Sequence, residues 1–229
     1  MNLAVMQPYL FPYIGYFQLI YASDLFLLFD DVAYIKKGYI NRNSIMMDGQ
    51  SFRFTIPVPG ASQNKKIYEL SYSSDVEKVL KSIAQAYSKA QYFDTIYPMI
   101  ERVLLQPVRD IADLCLASYK EIFSYLGLEK SFKKTSAIDY DREQPAENRI
   151  IDLCSRFNAD HYINPIGGID LYSRENFERK KLKLSFLKPE LVEYKQLSNG
   201  FISGLSIIDV LMNCGPDEIR SLLSKYELV

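Results

Sequence analysis

Arg42 stands between two asparagines in the run Asn41-Arg42-Asn43, and its guanidinium is a planar fork whose paired N–H groups match the oxygens of a phosphate or a carboxylate. Asn41 and Asn43 would fix the turn around it, and Lys37 places a second cation nearby. Towards the amino terminus, Gln7, Tyr9, Tyr13 and Tyr16 offer an amide and several phenols to the hydroxyls of a polar organic ligand. A third polar set, Asn164, Gly167, Gly168, Asp170 and Tyr172, follows later in the chain. A phosphate joined to a polyhydroxylated group is the ligand chemistry that suits all three sets.

His161 is the only histidine. Its unperturbed pKa suits a general base, and Asp31 is the other candidate for that role. One histidine excludes a multi-histidine zinc centre. Asp30 and Asp31 could hold a magnesium ion with substrate phosphates, but adjacent carboxylates after a strand more often serve as a cap and a turn, so no metal is assigned. Plainer readings stand beside each of these residues: a surface arginine in a solvated turn, and a lone histidine opening an apolar strand. No G-x-S-x-G, Walker or G-x-G-x-x-G element is present, which removes classical hydrolase and P-loop chemistry, and no cofactor is named by any motif.

The elements that must carry these residues read as an alternation of strands and helices. Leu3 to Met6 is a short apolar run stopped by Gln7-Pro8; Gly15 to Ala22 is apolar at helical spacing; Leu25 to Phe29 is a second apolar run closed by Asp30-Asp31. That β-α-β order has the length of a parallel crossover unit. Phe52, Phe54, Ile56 and Val58 alternate as a half-buried strand, and residues 74–127 are helical by period and composition, with Gly127 as a stop. A loop from Ser131 to Glu147, a helix from Ala146 to Phe157, a strand at His161 to Ile163 and another at Leu182 to Leu187 follow, and Cys214-Gly215-Pro216 divides two closing helices. The expectation is a single α/β domain over 1–229: a Rossmann-like parallel sheet core with the helical middle region inserted or packed on the sheet. In such sheets ligands bind past the carboxyl ends of the strands. The loop Gln7 to Tyr13, the stretch Asp30 to Asn43 and the loop after Ile163 are therefore the expected lips of one cleft.

Composition agrees with a small-molecule partner. With 48% hydrophobic residues and a formal net charge of −1, the chain has the balance of an ordinary globular protein and not of a nucleic-acid-binding surface. Eighteen tyrosines and no tryptophan suit pockets for polar organic ligands. Cys115, Cys154 and Cys214 lack C-x-x-C spacing and read as buried thiols in a reducing compartment. The amino terminus has no basic n-region and is broken by prolines, so neither a signal peptide nor membrane insertion is expected, and the reading is cytoplasmic. Assembly into a homodimer is left open.

Pro12-Tyr13-Ile14-Gly15-Tyr16 resembles the P-x-H-x-G-H stretch of nucleotidylyltransferases and class I synthetase-like folds, with tyrosine at both histidine positions. Ser203 to Ile208 is similar to the S-x-x-x-I-R helix start of those folds, without its arginine. The more extensive resemblance is to the WbqC-like family. It rests on QPYLFPYIGYF at Gln7 to Phe17, SDLFLLFDDV at Ser23 to Val32, the Asn41 to Asn43 run and LSIIDVLMNCG at Leu205 to Gly215. The opening motif of that family is close to Q-P-x-Y-L-P-W-x-G-Y-F; here Tyr13 stands where tryptophan is usual. The family's Y-I-S-G-P-S-G loop appears as Tyr162 to Gly168, with the serine and first glycine replaced.

Members of that family occur among genes for O-antigen and other surface polysaccharides. The resemblance implies work on an activated, nucleotide-linked sugar, as a transferase adding an acyl or aminoacyl group to an amino sugar. In that reading Arg42 with Lys37 meets the diphosphate, Gln7, Tyr9, Asn41 and Asp170 meet sugar hydroxyls, and His161 or Asp31 is the base. Two other readings stand beside it. One is a non-catalytic nucleotide-sugar-binding or scaffold protein of the same pathway. The other takes the opening motif as a tight strand-helix junction, with Gly15 for close packing and the aromatics for core.

Overall fold

Leu3, Ala4 and Val5 are buried on both faces of β1 (Asn2–Met6), the pattern of a central parallel strand. The structure, a computed structural model, describes residues 1–198 and 200–229. Helix α1 (Ile14–Ala22) buries six consecutive residues, Gly15 to Ile20, because it lies between the sheet and a layer of other helices. It returns the chain to β2 (Leu25–Leu28), parallel to β1 with Leu3 opposite Leu25. The crossover read from the sequence is therefore present.

A hairpin follows, made of β3 (Arg42–Met47) and β4 (Gln50–Thr55). Asp48 and Gly49 turn it with φ of 50° and 74°, the positive pair that two-residue hairpins require. Helices α2 (Glu77–Tyr87), α3 (Phe93–Leu105) and α4 (Ile111–Tyr125) then form the helical middle. Asp110 caps α4 by accepting from the amides of Ala112 and Asp113, and Gly127, at φ 66°, ends it. Beyond them come β5 (Ser131–Lys134), α5 (Ala146–Arg156), β6 (His161–Pro165), α6 (Arg174–Arg179) and β7 (Lys183–Pro189). The chain closes with α7 (Ile207–Asn213), α8 (Pro216–Leu223) and β8 (Tyr226–Leu228).

The six-stranded sheet has the order β5-β2-β1-β6-β7-β8, and every neighbouring pair is parallel except β7 with β8. This is a Rossmann-like α/β sheet. Strand order reverses between β1 and β6, and that switch point is where a crevice opens past the carboxyl ends. Apolar clusters cover both faces. Phe17, Tyr119, Phe123 and Ile207 belong to the cluster that joins α1 to the helical middle and to α7 and α8, while Leu153, Tyr162, Phe177 and Phe186 belong to the cluster beneath α5 and α6. No described helix is long and apolar enough to cross a membrane.

Three strands depart from the sequence expectation. β3 falls partly in the stretch read as polar loop, β5 in the loop from Ser131 to Glu147, and β8 after the last helix. Each is short of an alternating pattern: β5 and β8 are edge strands with one partner, and β3 buries Ile45 and Met46 consecutively.

His161 lies at the amino end of β6, where its Nδ1 meets Asn2 Oδ1 at 3.1 Å and its buried Nε2 has no partner among the described residues. Burial holds the imidazole below its ordinary pKa, aided by the positive charges of Lys183 and the amino terminus, against which Asp160 acts. Over the range below about pH 6.5 the unfolded chain therefore binds a proton that the folded chain resists, so stability falls as pH drops. His161→Gln should flatten that loss, read as urea midpoints at about pH 7.5 and about pH 5. Tyr119 is buried and its hydroxyl donates to Tyr9 O at 2.7 Å and accepts from Tyr9 N at 3.1 Å. Tyr119→Phe keeps the ring and strands both backbone groups, so a loss of about 2 kcal/mol in urea unfolding is expected.

Candidate functional site

The loop joining β1 to α1 cannot use the sheet or the helix for its backbone polar groups, and Phe11 holds a left-handed φ of 47°. Distant side chains fix it. Tyr119 pairs with both backbone groups of Tyr9, Tyr16 Oη donates to Gln7 O at 2.8 Å, and Phe11 O accepts from Asn43 Nδ2 and from Ser206 Oγ. Pro12 O accepts from the amide of Ile207 at 2.8 Å. Ser206 also caps α7, three residues before Asp209, a fully buried carboxylate that accepts from Tyr87, Tyr194 and Gln196.

Against this loop, at the reversal between β1 and β6, lies a cleft of about 360 Å³, within the usual range for small-molecule sites. Gln7, Tyr9, Tyr13 and Tyr16 line it from the first loop, Ile35, Tyr39 and Ile40 from the stretch after β2, and Pro165 from the end of β6. All three expected lips therefore contribute. Tyr9 and Tyr39 have ring centroids 5.7 Å apart, and Tyr39 is 69% exposed although it lines the cleft. Burial raises the phenol pKa values of Tyr9 and Tyr13, so both are neutral hydroxyls near pH 7, able to donate and to accept.

Tyr9 and Tyr39 are shared with an adjoining polar pocket of about 140 Å³. Arg42, Ser44 and Arg53 line it from one face of the β3–β4 hairpin, where Ser44 is directly opposite Arg53. Ser51 and Ser203 add hydroxyls. Arg42 Nε donates to Gly38 O at 2.7 Å, an anchor that still leaves both terminal nitrogens of the fork. No described carboxylate lies within ion-pair distance of Arg42 or Arg53. Two arginines meeting three serines in a concavity can hold a phosphate or diphosphate.

Asn43 also lines the arginine pocket, but it is buried and its amide serves the loop. The other residues singled out in the sequence stand elsewhere, and Asn41 Nδ2 donates to Ile56 O at 2.8 Å. Lys37, at φ 61°, and Asp170 are exposed and line neither the cleft nor the arginine pocket. Asp31 is fully enclosed: it accepts from Thr135 Oγ1 at 2.7 Å, Tyr140 Oη at 2.8 Å and Arg142 Nε at 2.8 Å, with Arg149 at 3.6 Å. Its oxygens are spent on tying the segment after β5 to the end of β2. His161 lies four residues from Pro165 at the far end of β6, about 13 Å away by strand rise. Neither candidate base reaches the cleft.

Tyr39 and Arg53 are the site residues that sequence reasoning missed. A signal for Arg53 was present in Asp48-Gly49, since a two-residue turn there fixes the register that sets Arg53 opposite Ser44 and on the face of Arg42. A larger groove of about 570 Å³ lies along α5, with Asn148, Asp152, Cys154 and Lys180 on its walls. It is remote from the switch point and has no aromatic wall. Among the described residues, no three His, Cys, Asp or Glu side chains gather as a metal site.

These features can be set against known proteins. The chain is 28% identical over 227 residues to the uncharacterized protein Rv1507c of Mycobacterium tuberculosis (strain ATCC 25618 / H37Rv), covering 96% of this chain and 97% of that one. No solved structure matches it. The model of the WbqC-like protein family matches residues 7–221, a span that holds the pinned loop, the arginine hairpin and the Ser206 cap alike. The chain belongs to the WbqC-like protein family.

Proposed function

We propose that the protein binds a nucleotide-linked sugar in the cleft and modifies it during surface polysaccharide synthesis in the cytoplasm, as a transferase adding an acyl or aminoacyl group to an amino sugar. The observation that carries this reading is the pair Arg42 and Arg53, free of described carboxylate partners, in a pocket that shares Tyr9 and Tyr39 with the aromatic cleft. Arginine forks suit the diphosphate, and the tyrosine faces suit a base or a sugar ring. Gln7 and the hydroxyls of Tyr9 and Tyr13 suit sugar hydroxyls. The position at the strand-order reversal agrees with where α/β sheets take such ligands.

A second reading is favoured by one specific feature: among the described residues, no histidine or carboxylate lines either the cleft or the arginine pocket. Binding without chemistry, as a nucleotide-sugar-holding partner of a pathway enzyme, needs no such group. In the transferase reading, the base for the attacking amine comes from the second substrate or from Glu190, which lines a pocket sharing Tyr13 and Gly15 with the cleft.

Thermal-shift screening against UDP, dTDP, their amino-sugar conjugates and magnesium chloride tests the site. A ligand at about 100 times its Kd should add about 2.7 kcal/mol of stability. Arg42→Ala and Arg53→Ala should each weaken binding by about tenfold to a hundredfold, as loss of charge-assisted hydrogen bonds implies. Binding that both folded variants retain in full would overturn the phosphate assignment. Incubating the bound sugar with acyl thioesters and aminoacyl donors, with product read by mass, separates the transferase from the binding protein.

A further inference from the structure

Among the described residues, the three most exposed large apolar side chains are Leu191 (78%), Leu171 (70%) and Tyr39 (69%). Each comes from a segment that leaves the carboxyl end of a parallel strand, β7, β6 and β2 in turn. They therefore emerge on one end of the sheet, around the mouth of the cleft. Tyr39 and its neighbour Ile35 line the cleft, Leu171 closes the turn Ile166–Leu171 that follows the cleft residue Pro165, and Leu191 lines a pocket that shares Tyr13 and Gly15 with the cleft. Single exposed apolar residues are ordinary on a surface, but a group ringing one concavity marks a face that another surface covers.

The charges on this face identify that surface. Lys36 and Lys37 stand between Ile35 and Tyr39, and Lys65 is beside them, since its carbonyl accepts from the amide of Tyr34 at 2.9 Å. On the other lip Asp170 precedes Leu171 and Glu190 precedes Leu191; Lys188 stands opposite Glu227 in β8 and Glu193 offsets Lys195, so the excess there is negative. Lys36, Lys37, Lys65, Asp170 and Glu190 have no ion-pair partner among the described residues. The strand order β2-β1-β6-β7 puts the basic lip after β2 and the acidic lip after β6 and β7, about 10–14 Å apart across the cleft.

We propose that this face is the interface between two copies of the chain. A two-fold axis lying in the face, midway between the lips, sets the basic lip of each copy on the acidic lip of the other and brings their apolar side chains together, the self-complementary arrangement of an isologous dimer. An anionic membrane or a uniformly acidic partner would be repelled by Asp170 and Glu190. A second copy answers both signs. Each copy then overlies the other's cleft at the lip formed by Ile35 and Tyr39.

The assembly is measured without nucleotide, so its failure and that of the nucleotide-sugar site are separate. Sedimentation velocity over a dilution series of the full chain should show twice the chain mass giving way to one, with the dimer weakened by added salt. Lys36→Asp with Lys37→Asp, and separately Asp170→Lys with Glu190→Lys, should each raise the dimer Kd by about a hundredfold or more, because like charges then meet. All four positions are exposed and aspartate tolerates the left-handed φ of Lys37, so both variants fold. Mixed in equal amounts, the two variants should recover a heterodimer of near wild-type affinity, since each lip again meets its opposite. A wild-type chain that stays monomeric at every concentration, whether or not it co-sediments with phosphatidylglycerol vesicles, overturns the proposal. So does a dimer that neither variant weakens, or a pair of weakened variants that fails to recombine.

Discussion

The loop between β1 and α1 has to pair the carbonyls of Tyr9, Phe11 and Pro12 outside both of those elements. That requirement organises much of the rest. Tyr119 comes from the helical middle, Asn43 from the hairpin, and Ser206 from the start of α7, and each donates to a carbonyl of this one loop. An unpaired buried backbone group costs about 1–3 kcal/mol, so the three contacts set where α4, β3 and α7 can stand. The loop is thus the common point at which these elements meet.

The motifs that mark the family acquire a physical meaning in this arrangement. Gln7 to Phe17 is the loop and the opening of α1, the Asn41 to Asn43 run supplies one pin and one arginine, and Leu205 to Gly215 supplies Ser206 and Asp209. Asp209 in turn gathers Tyr87, Tyr194 and Gln196, and Tyr87 Oη accepts from the amide of Met46 in β3. Segments far apart in the chain are thus coupled through buried polar contacts, which are demanding in direction where apolar packing is not.

The sheet's inner strands were legible because a strand buried on both faces must be a continuous apolar run, as at Leu3 to Met6 and Leu25 to Leu28. The hairpin was half legible: β4 alternates, but β3 hides its strand character behind Asn41-Arg42-Asn43, whose residues suggest a turn. The same ambiguity governs the site. Gln7, Tyr9, Tyr13, Tyr16 and Arg42 could be named from residue type and the rule of strand ends, and the structure gathers them at the switch point. Asp31 and His161 have the right chemistry, yet whether a carboxylate faces a cleft or an enclosed arginine depends on partners more than a hundred residues away, such as Arg142. Arg53 carries no local signal beyond the hairpin turn, because only register across the strands sets it on the face of Arg42, and Tyr39 lies in the irregular segment before β3, where no period applies.

The sheet ends, on both sides, in strands poorly suited to recruit another chain. β5 is four residues long and contributes Lys133 and Lys134, and β8 is three residues long and antiparallel to its neighbour. Open edges of a parallel sheet are templates on which partly folded copies add strand to strand, and short or lysine-bearing edges resist that. A parallel sheet of this kind assembles late, since its neighbours are distant in sequence. Brief, charged margins therefore protect the finished sheet against edge-to-edge association with other copies.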